Sequence, residues 1–253
     1  MTRSLRTPIV TDLREPSHPS PAGAQRINPE HVGLPLALPG YLYYPLWNRF
    51  LAELGCTVVC SPATSKEILS AGVRVTIDDI CIPVKLLVGH LLHLKACRVD
   101  AIMIPRVYAI ERSALPRFTC TRFMGLPNLP RAPLDGSPRL LDADVNVRER
   151  PEIRSFVDIG KMLGRGRGAS EKAYRAAFEE QVRFEAGLAC GWDFASSVAG
   201  ASDFGFPSSS LVASVALRGD DEELLIATVG HPYLLFDDFL SLCPRDWPPW
   251  GVG

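Results

Sequence analysis

Apolar residues return along this chain in blocks that alternate between two periods. Val32 to Leu38 is a short apolar run, and after Pro39 and Gly40 the apolar positions of Tyr41 to Leu54 recur at helical spacing. Gly55 suits the C′ position that closes such a helix, and Cys56 to Cys60 (CTVVC) is β-branched and apolar enough for a buried strand. Strand, helix and strand make a parallel βαβ unit. Thr64 or Ser65 then caps a helix that carries Glu67 in its first turn and continues over Lys66 to Ala71. Pro83 suits a first helical turn, and Val84, Leu87, Leu91 and Leu94 share one face, which predicts a helix over 83–96. Asp100 to Pro105 (DAIMIP) reads as a short buried strand stopped by proline. The alternation predicts an α/β fold: a doubly wound, mostly parallel, Rossmann-like sheet with flanking helices and ligands at the C-terminal edge of its strands.

The pattern is weaker further on. Arg117 to Pro138 is rich in proline without sustained periodicity and reads as a long loop, with a short strand at Leu140 and Leu141 after it. Glu152 to Leu163 and Ser170 to Leu188 are helical, the second with Ser170 as its cap, and they are expected to pack together. Gly164 to Gly168 (GRGRG) joins two helices rather than following a strand. It lacks Gly-Lys-Ser or Gly-Lys-Thr, so it reads as a basic flexible linker and not a phosphate loop. Gly191 to Ser210 reads as a mobile connection, Glu223 to Val229 (ELLIATV) as a strand, and Gly230-His231-Pro232-Tyr233 as the turn that ends it. The expected organisation is a Pro/Ser-rich disordered tail over 1–31, an α/β domain over 32–240 that includes the helical pair 152–190, and an irregular end over 241–253. That last stretch, with its prolines and tryptophans, is expected to be truncated or frameshifted.

Lys and Arg number 27 against 28 acidic residues, a net charge of -1, which gives no general pull toward nucleic acid or anionic membrane. The strongest apolar stretch, Ile82 to Leu94, is interrupted by Lys85 and His90 and falls short of the roughly 20 residues a membrane span needs. Asp12 and Glu15 count against a targeting peptide, so the cytoplasm is the expected location. Seven cysteines in a chain of 253 residues are odd in number and scattered, without a CxxC pair. They read as free thiols or as metal ligands drawn from distant loops.

Cys81 stands at the entrance to the helix over 83–96, where backbone N–H groups and the helix dipole favour a thiolate. It reads either as a soft-metal ligand or as a small buried hydrophobe. His90 and His93 lie three apart on that helix and read either as a metal pair or as hydrogen-bonded core histidines. Arg106, directly after Pro105, is placed for an anionic group or for an ion pair with Glu111. Cys56 and Cys60 read as packing residues, Cys97 as tolerated at a helix end, and Cys190 as a weak substitute ligand.

Gly40 to Leu69 (GYLYYPLWNRFLAELGCTVVCSPATSKEIL), Asp78 to Leu94 (DDICIPVKLLVGHLLHL), Asp100 to Glu111 (DAIMIPRVYAIE), Cys120 to Asn128 (CTRFMGLPN) and Gly230 to Asp237 (GHPYLLFD) together resemble the N-terminal part of the acyl-CoA dehydratase activase-related family. Members of that family are similar to the cluster-bearing components of 2-hydroxyacyl-CoA dehydratases such as 2-hydroxyglutaryl-CoA dehydratase, which are carbon–oxygen lyases. The resemblance implies a [4Fe-4S] cluster with Cys81 (acidic-x-Cys-x-Pro-x-Lys) and Cys120 (Cys-x-x-x-x-Gly-Leu-Pro) among its ligands. Further ligands are then expected from a C-terminal lobe of the family that has no counterpart here.

The resemblance also implies transfer of one electron to an acyl-CoA, an ATP-dependent activase as a separate partner, and a second dehydratase subunit as another. Lys85 would offset charge on the cluster or on a CoA phosphate, unless it is an ordinary helix lysine. His231 would touch a ligand, unless its turn is structural. The rival expectation is a non-catalytic partner or degenerate fragment that lacks a complete cluster site.

Overall fold

The computed structural model describes residues 30–38, 40–109, 118–189 and 239. Strand β1 (His31–Leu34) leads through a tight loop into α1 (Gly40–Glu53), and β2 (Thr57–Cys60) returns beside β1 in parallel register, His31 opposite Thr57 and Leu34 opposite Cys60. Gly55 closes α1 at φ +78, a backbone conformation that favours glycine. Ser65 is the N-cap of α2 (Lys66–Val75), its side chain accepting from Ile68 N, and α3 (Ile82–Ala96) follows with Cys81 as its N-cap. β3 (Ala101–Met103) then joins the far side of β1, and β5 (Arg139–Leu141) joins β3.

All four strands are parallel and lie in the order β2-β1-β3-β5, so the chain winds first to one side of β1 and then to the other. The direction reverses between β1 and β3, the switch point beside which open α/β sheets bind their ligands. Side chains alternate strictly between the two faces. Val32, Leu34, Ala101, Met103 and Leu141 share a core with α1, α6 (Ile153–Met162) and α7 (Arg167–Ala189). Ile102 and Leu140 point the other way, into a core with Val84, Leu87, Leu91 and Leu94 of α3. The expected doubly wound architecture is the observed one, and the predicted face of α3 is the buried face.

β3 ends at Met103, just before Pro105 as expected, but the pairing resumes beyond the proline. Ile104 N donates to Leu141 O (3.0 Å) and Arg106 N to Ala143 O (3.1 Å), so Pro105 occupies the intervening position, where this ladder requires no donor. The β3/β5 pair thereby continues past the edge of the main sheet as a two-stranded parallel ribbon, β4 (Arg106–Ala109) with β6 (Asp144–Asn146). The stretch read as a loop over 117–138 contains α4 (Thr121–Gly125), a 3-10 turn (Leu126–Asn128) and α5 (Arg131–Leu134). Helices of four or five residues are too short to display a period.

Two further expectations change. Ser170 is not a cap but lies inside α7, its hydroxyl donating back to Gly166 O (3.0 Å). The supposed flexible linker is partly helix from Arg167 onward, and Arg165 pins it by donating from Nε to Leu54 O (2.8 Å). The paired helices α6 and α7 do pack together, and Phe156 of α6 stacks on Trp47 (4.7 Å between centroids) and meets Phe50 (4.8 Å) and Tyr174 (4.6 Å). Helix α1 bends at Tyr43 and carries Pro45, and Gln181 of α7 donates to the Leu42 carbonyl at that bend (2.9 Å). No described helix is long and apolar enough to cross a membrane. Of the tail expected over 1–31, residues 1–29 lie outside the described residues, whereas His31 opens β1 instead of ending a tail. The connection over 191–210, the strand over 223–229 and the end over 241–253 also lie outside the described residues.

Candidate functional site

Helix α3 runs antiparallel to the strands, so its N-terminus and Cys81 stand at the C-terminal edge of the sheet. The turn before it is closed by Ile80 N donating to Ile77 O (3.3 Å), and Lys85 reaches back from the helix to the Asp78 carbonyl (3.0 Å). Cys81 has extended backbone angles (φ -64, ψ 147) and its carbonyl accepts from Val84 N and Lys85 N. Its side chain makes no capping bond, and the residue is exposed.

Cys120 repeats this arrangement. It is the N-cap of α4 with φ -54 and ψ 138, its carbonyl accepts from Phe123 N (2.8 Å) and Met124 N (3.3 Å), and its thiol makes no capping bond. It too is exposed. The preceding Thr119 N donates to Tyr108 O of β4 (2.9 Å), which hangs α4 from the ribbon. Arg122 then reaches from α4 to the carbonyl of Asp79 (3.4 Å), two residues before Cys81. The two cysteine-bearing turns therefore meet on one side of the molecule. Apolar side chains flank both: Ile77 (72% exposed) and Ile82 (54%) beside Cys81, and Phe118 (58%), under the Arg148 guanidinium, beside Cys120.

Arg106 faces inward from the base of the ribbon. Its Nη1 donates to the Met124 carbonyl (2.9 Å) and its Nη2 to Asn128 Oδ1 (3.2 Å), while Nε pairs with Asp144 (3.2 Å) and Nη2 lies 3.9 Å from Asp142. Asp142 is also held by Arg131 of α5 (2.6 Å). The guanidinium expected to face an anion is thus occupied by groups of the chain itself. Its expected alternative partner, Glu111, lies outside the described residues, as do His231 and Cys190.

His90 and His93 do not meet. His93 is exposed, whereas His90 is fully buried, with Ser61 Oγ 2.9 Å from Nδ1 and Thr64 Oγ1 3.1 Å from Nε2. Ser61 Oγ also accepts from Leu36 N (2.8 Å), so one buried network joins the loops after β1 and β2 to α3. Burial, with a smaller contribution from His93, pushes the His90 pKa down to about 3. A serine and a histidine at this distance have the spacing of a nucleophile and its base, but Ser61 is completely buried, which fits a structural bond.

The partners in this network are not legible in the sequence, because Ser61, Thr64 and His90 become neighbours only through the packing of α3 on the sheet. The same holds for Glu152, whose half-buried carboxyl accepts from Tyr174 Oη (2.8 Å) and is pushed above the usual carboxylate range by burial. Cys56 is buried as expected of a packing residue, and burial raises the Cys60 thiol to about 12. Among the described residues, no three His, Cys, Asp or Glu side chains come together as a metal-binding group.

The family described as CoA enzyme activase uncharacterised domain (DUF2229) matches residues 31–243. The chain belongs to that family. The match spans both cysteine turns and the whole of the parallel sheet, so the rim that carries Cys81 and Cys120 is part of the family's domain. No curated protein and no solved structure matches the chain.

Proposed function

We propose that the chain is an iron-sulfur component of the 2-hydroxyacyl-CoA dehydratase and activase system, and that Cys81 and Cys120 bind iron at the C-terminal rim of the sheet. The observation that supports this reading is that two exposed N-cap thiols stand on turns joined by the Arg122 to Asp79 contact, in a domain of the CoA enzyme activase family. Thiolates are the usual protein ligands of iron-sulfur clusters, and two such residues fit two positions of a [4Fe-4S] cubane. The remaining ligands would come from other parts of the chain or from a second dehydratase subunit. When bound, the cluster would supply a low-potential electron for an acyl-CoA substrate, delivered by a separate ATP-dependent activase.

The residues of this chain would hold and shield the site. Lys85 braces the turn before Cys81 through the Asp78 carbonyl, and its charge would offset that of a bound cluster. Ile77, Ile82 and Phe118 would exclude water once a partner covers them.

Anaerobic reconstitution with iron and sulfide tests the proposal, with iron counting and electron paramagnetic resonance as readouts. We expect a brown, iron-loaded protein, and loss of most of the iron in both Cys81→Ser and Cys120→Ser while Cys97→Ser retains it. Because both cysteines are exposed, either replacement changes stability by no more than about 0.5 kcal/mol. A folded protein that stays colourless would instead support a non-catalytic partner or degenerate fragment of the family.

A further inference from the structure

We propose that Arg106 is the positioning residue for Cys120: its guanidinium clamps the short Cys120 helix to the ribbon and so sets where that thiol stands relative to Cys81. The functional meaning of the clamp rests on the iron-binding reading above, but its geometry does not.

Helix α4 has five residues, none of them fully buried; Phe123 packs partly against the core and Leu126 just after the helix is buried there, so apolar packing holds the middle of the segment rather than its ends. The segment from Thr119 to Asn128 is attached to β4 at both ends. Thr119 fixes its start, donating from N to Tyr108 O and from Oγ1 to Val107 O. Arg106, the first residue of the same strand, fixes its end through Met124 O and Asn128 Oδ1.

The fork is itself oriented from behind by Asp144 and Asp142, with Arg131 holding Asp142. The Arg106 side chain is only 17% exposed, so these charge-assisted bonds are poorly replaced by water. A lysine has one ammonium where the clamp uses three nitrogens, and it can restore only part of the set.

Hydrogen exchange on the iron-free chain tests the clamp, with alkylation of Cys120 relative to Cys81 as a second readout. In Arg106→Ala, the amides of Phe123 and Met124 are expected to exchange about ten- to a hundredfold faster, the range for losing charged hydrogen bonds. The amides of α3 should be unchanged. The alkylation ratio should change in the same variant and return partway in Arg106→Lys. Asn128→Ala removes one acceptor and should produce a smaller, equally local rise, which carries the test if Arg106→Ala does not fold.

Unchanged exchange at Phe123 and Met124, or protection lost evenly across α3 and the sheet, would overturn the proposal. Since no iron is present, failure of the clamp and failure of iron binding are seen in separate experiments.

Discussion

His90 carries a polar ring into the fully buried interior, where Ser61 and Thr64 are its hydrogen-bond partners. Its neutral form is the one that fits. With a folded pKa of about 3 against about 6.5 in an unfolded chain, its contribution is fully present above pH 6.5. That contribution is lost as pH falls through the window toward 3, because the unfolded state takes up the proton first. Between pH 7 and pH 5 this group alone should cost about 2 kcal/mol. Urea unfolding at the two pH values measures the loss, and in His90→Gln the difference should shrink by about that amount. An unchanged difference would mean that His90 accepts a proton without disturbing the network.

The same residue shows how far sequence reaches at this scale. His90 could be recognised as polar on a buried face, and hydrogen bonding was one of its two expected roles. Its partners come from a loop 26 and 29 positions away and could not be read from spacing. Arg106 was expected to meet an anionic group or Glu111 because it follows a strand end. Instead the strand resumes in the ribbon, and two aspartates and α4 turn the side chain inward.

Among the elements, α2 and α3 approach so closely that backbone touches backbone. A Cβ on Gly72 would lie 1.8 Å from the Lys85 carbonyl oxygen, and one on Gly89 would lie 2.1 Å from that of Ile68. Neither obstacle is a flexible side chain, so one helix must move. Gly72→Ala and Gly89→Ala should each cost about 1–3 kcal/mol in urea unfolding, the range for overpacked cores. Gly125→Ala, which meets nothing within 4 Å, should be within about 0.5 kcal/mol of the parent. Equal effects at all three positions would mean that the helix contact is not limiting. Because α3 presents Cys81, any displacement by the first two replacements should also weaken iron binding.

Elements of ten or more residues were legible because each repeats its period several times, as α3 does through Val84, Leu87, Leu91 and Leu94. The pieces that build the Cys120 side of the site were not. Helices α4 and α5 and strands β4 and β6 are three to five residues long, too short to repeat an apolar period several times, and Arg106, Arg131, Asp142 and Asp144 tie them together. Pro105 ends β3 without ending the pairing for a related reason: its missing N–H matters only if the ladder needs it, and the ladder position is a property of the partner strand.

For the whole molecule, topology brings together what the sequence separates. The reversal between β1 and β3 directs α3 and the ribbon to one edge of the sheet, and two N-cap cysteines from remote segments arrive on the same side. The alternating strand-helix pattern was enough to anticipate the parallel sheet. It could not anticipate the ribbon that extends beyond the sheet's edge and supports α4. The family match covers the sheet, the ribbon and both turns, which agrees with their forming one unit.

Linking the thiols chemically probes this arrangement most directly. The native chain, reduced and iron-free, would be treated with a short bismaleimide and its linked peptides mapped by mass spectrometry, with and without prior loading with iron and sulfide. The account predicts a dominant link between Cys81 and Cys120 that disappears after loading. Links only between other cysteines, or a Cys81 to Cys120 link that iron leaves untouched, would contradict it.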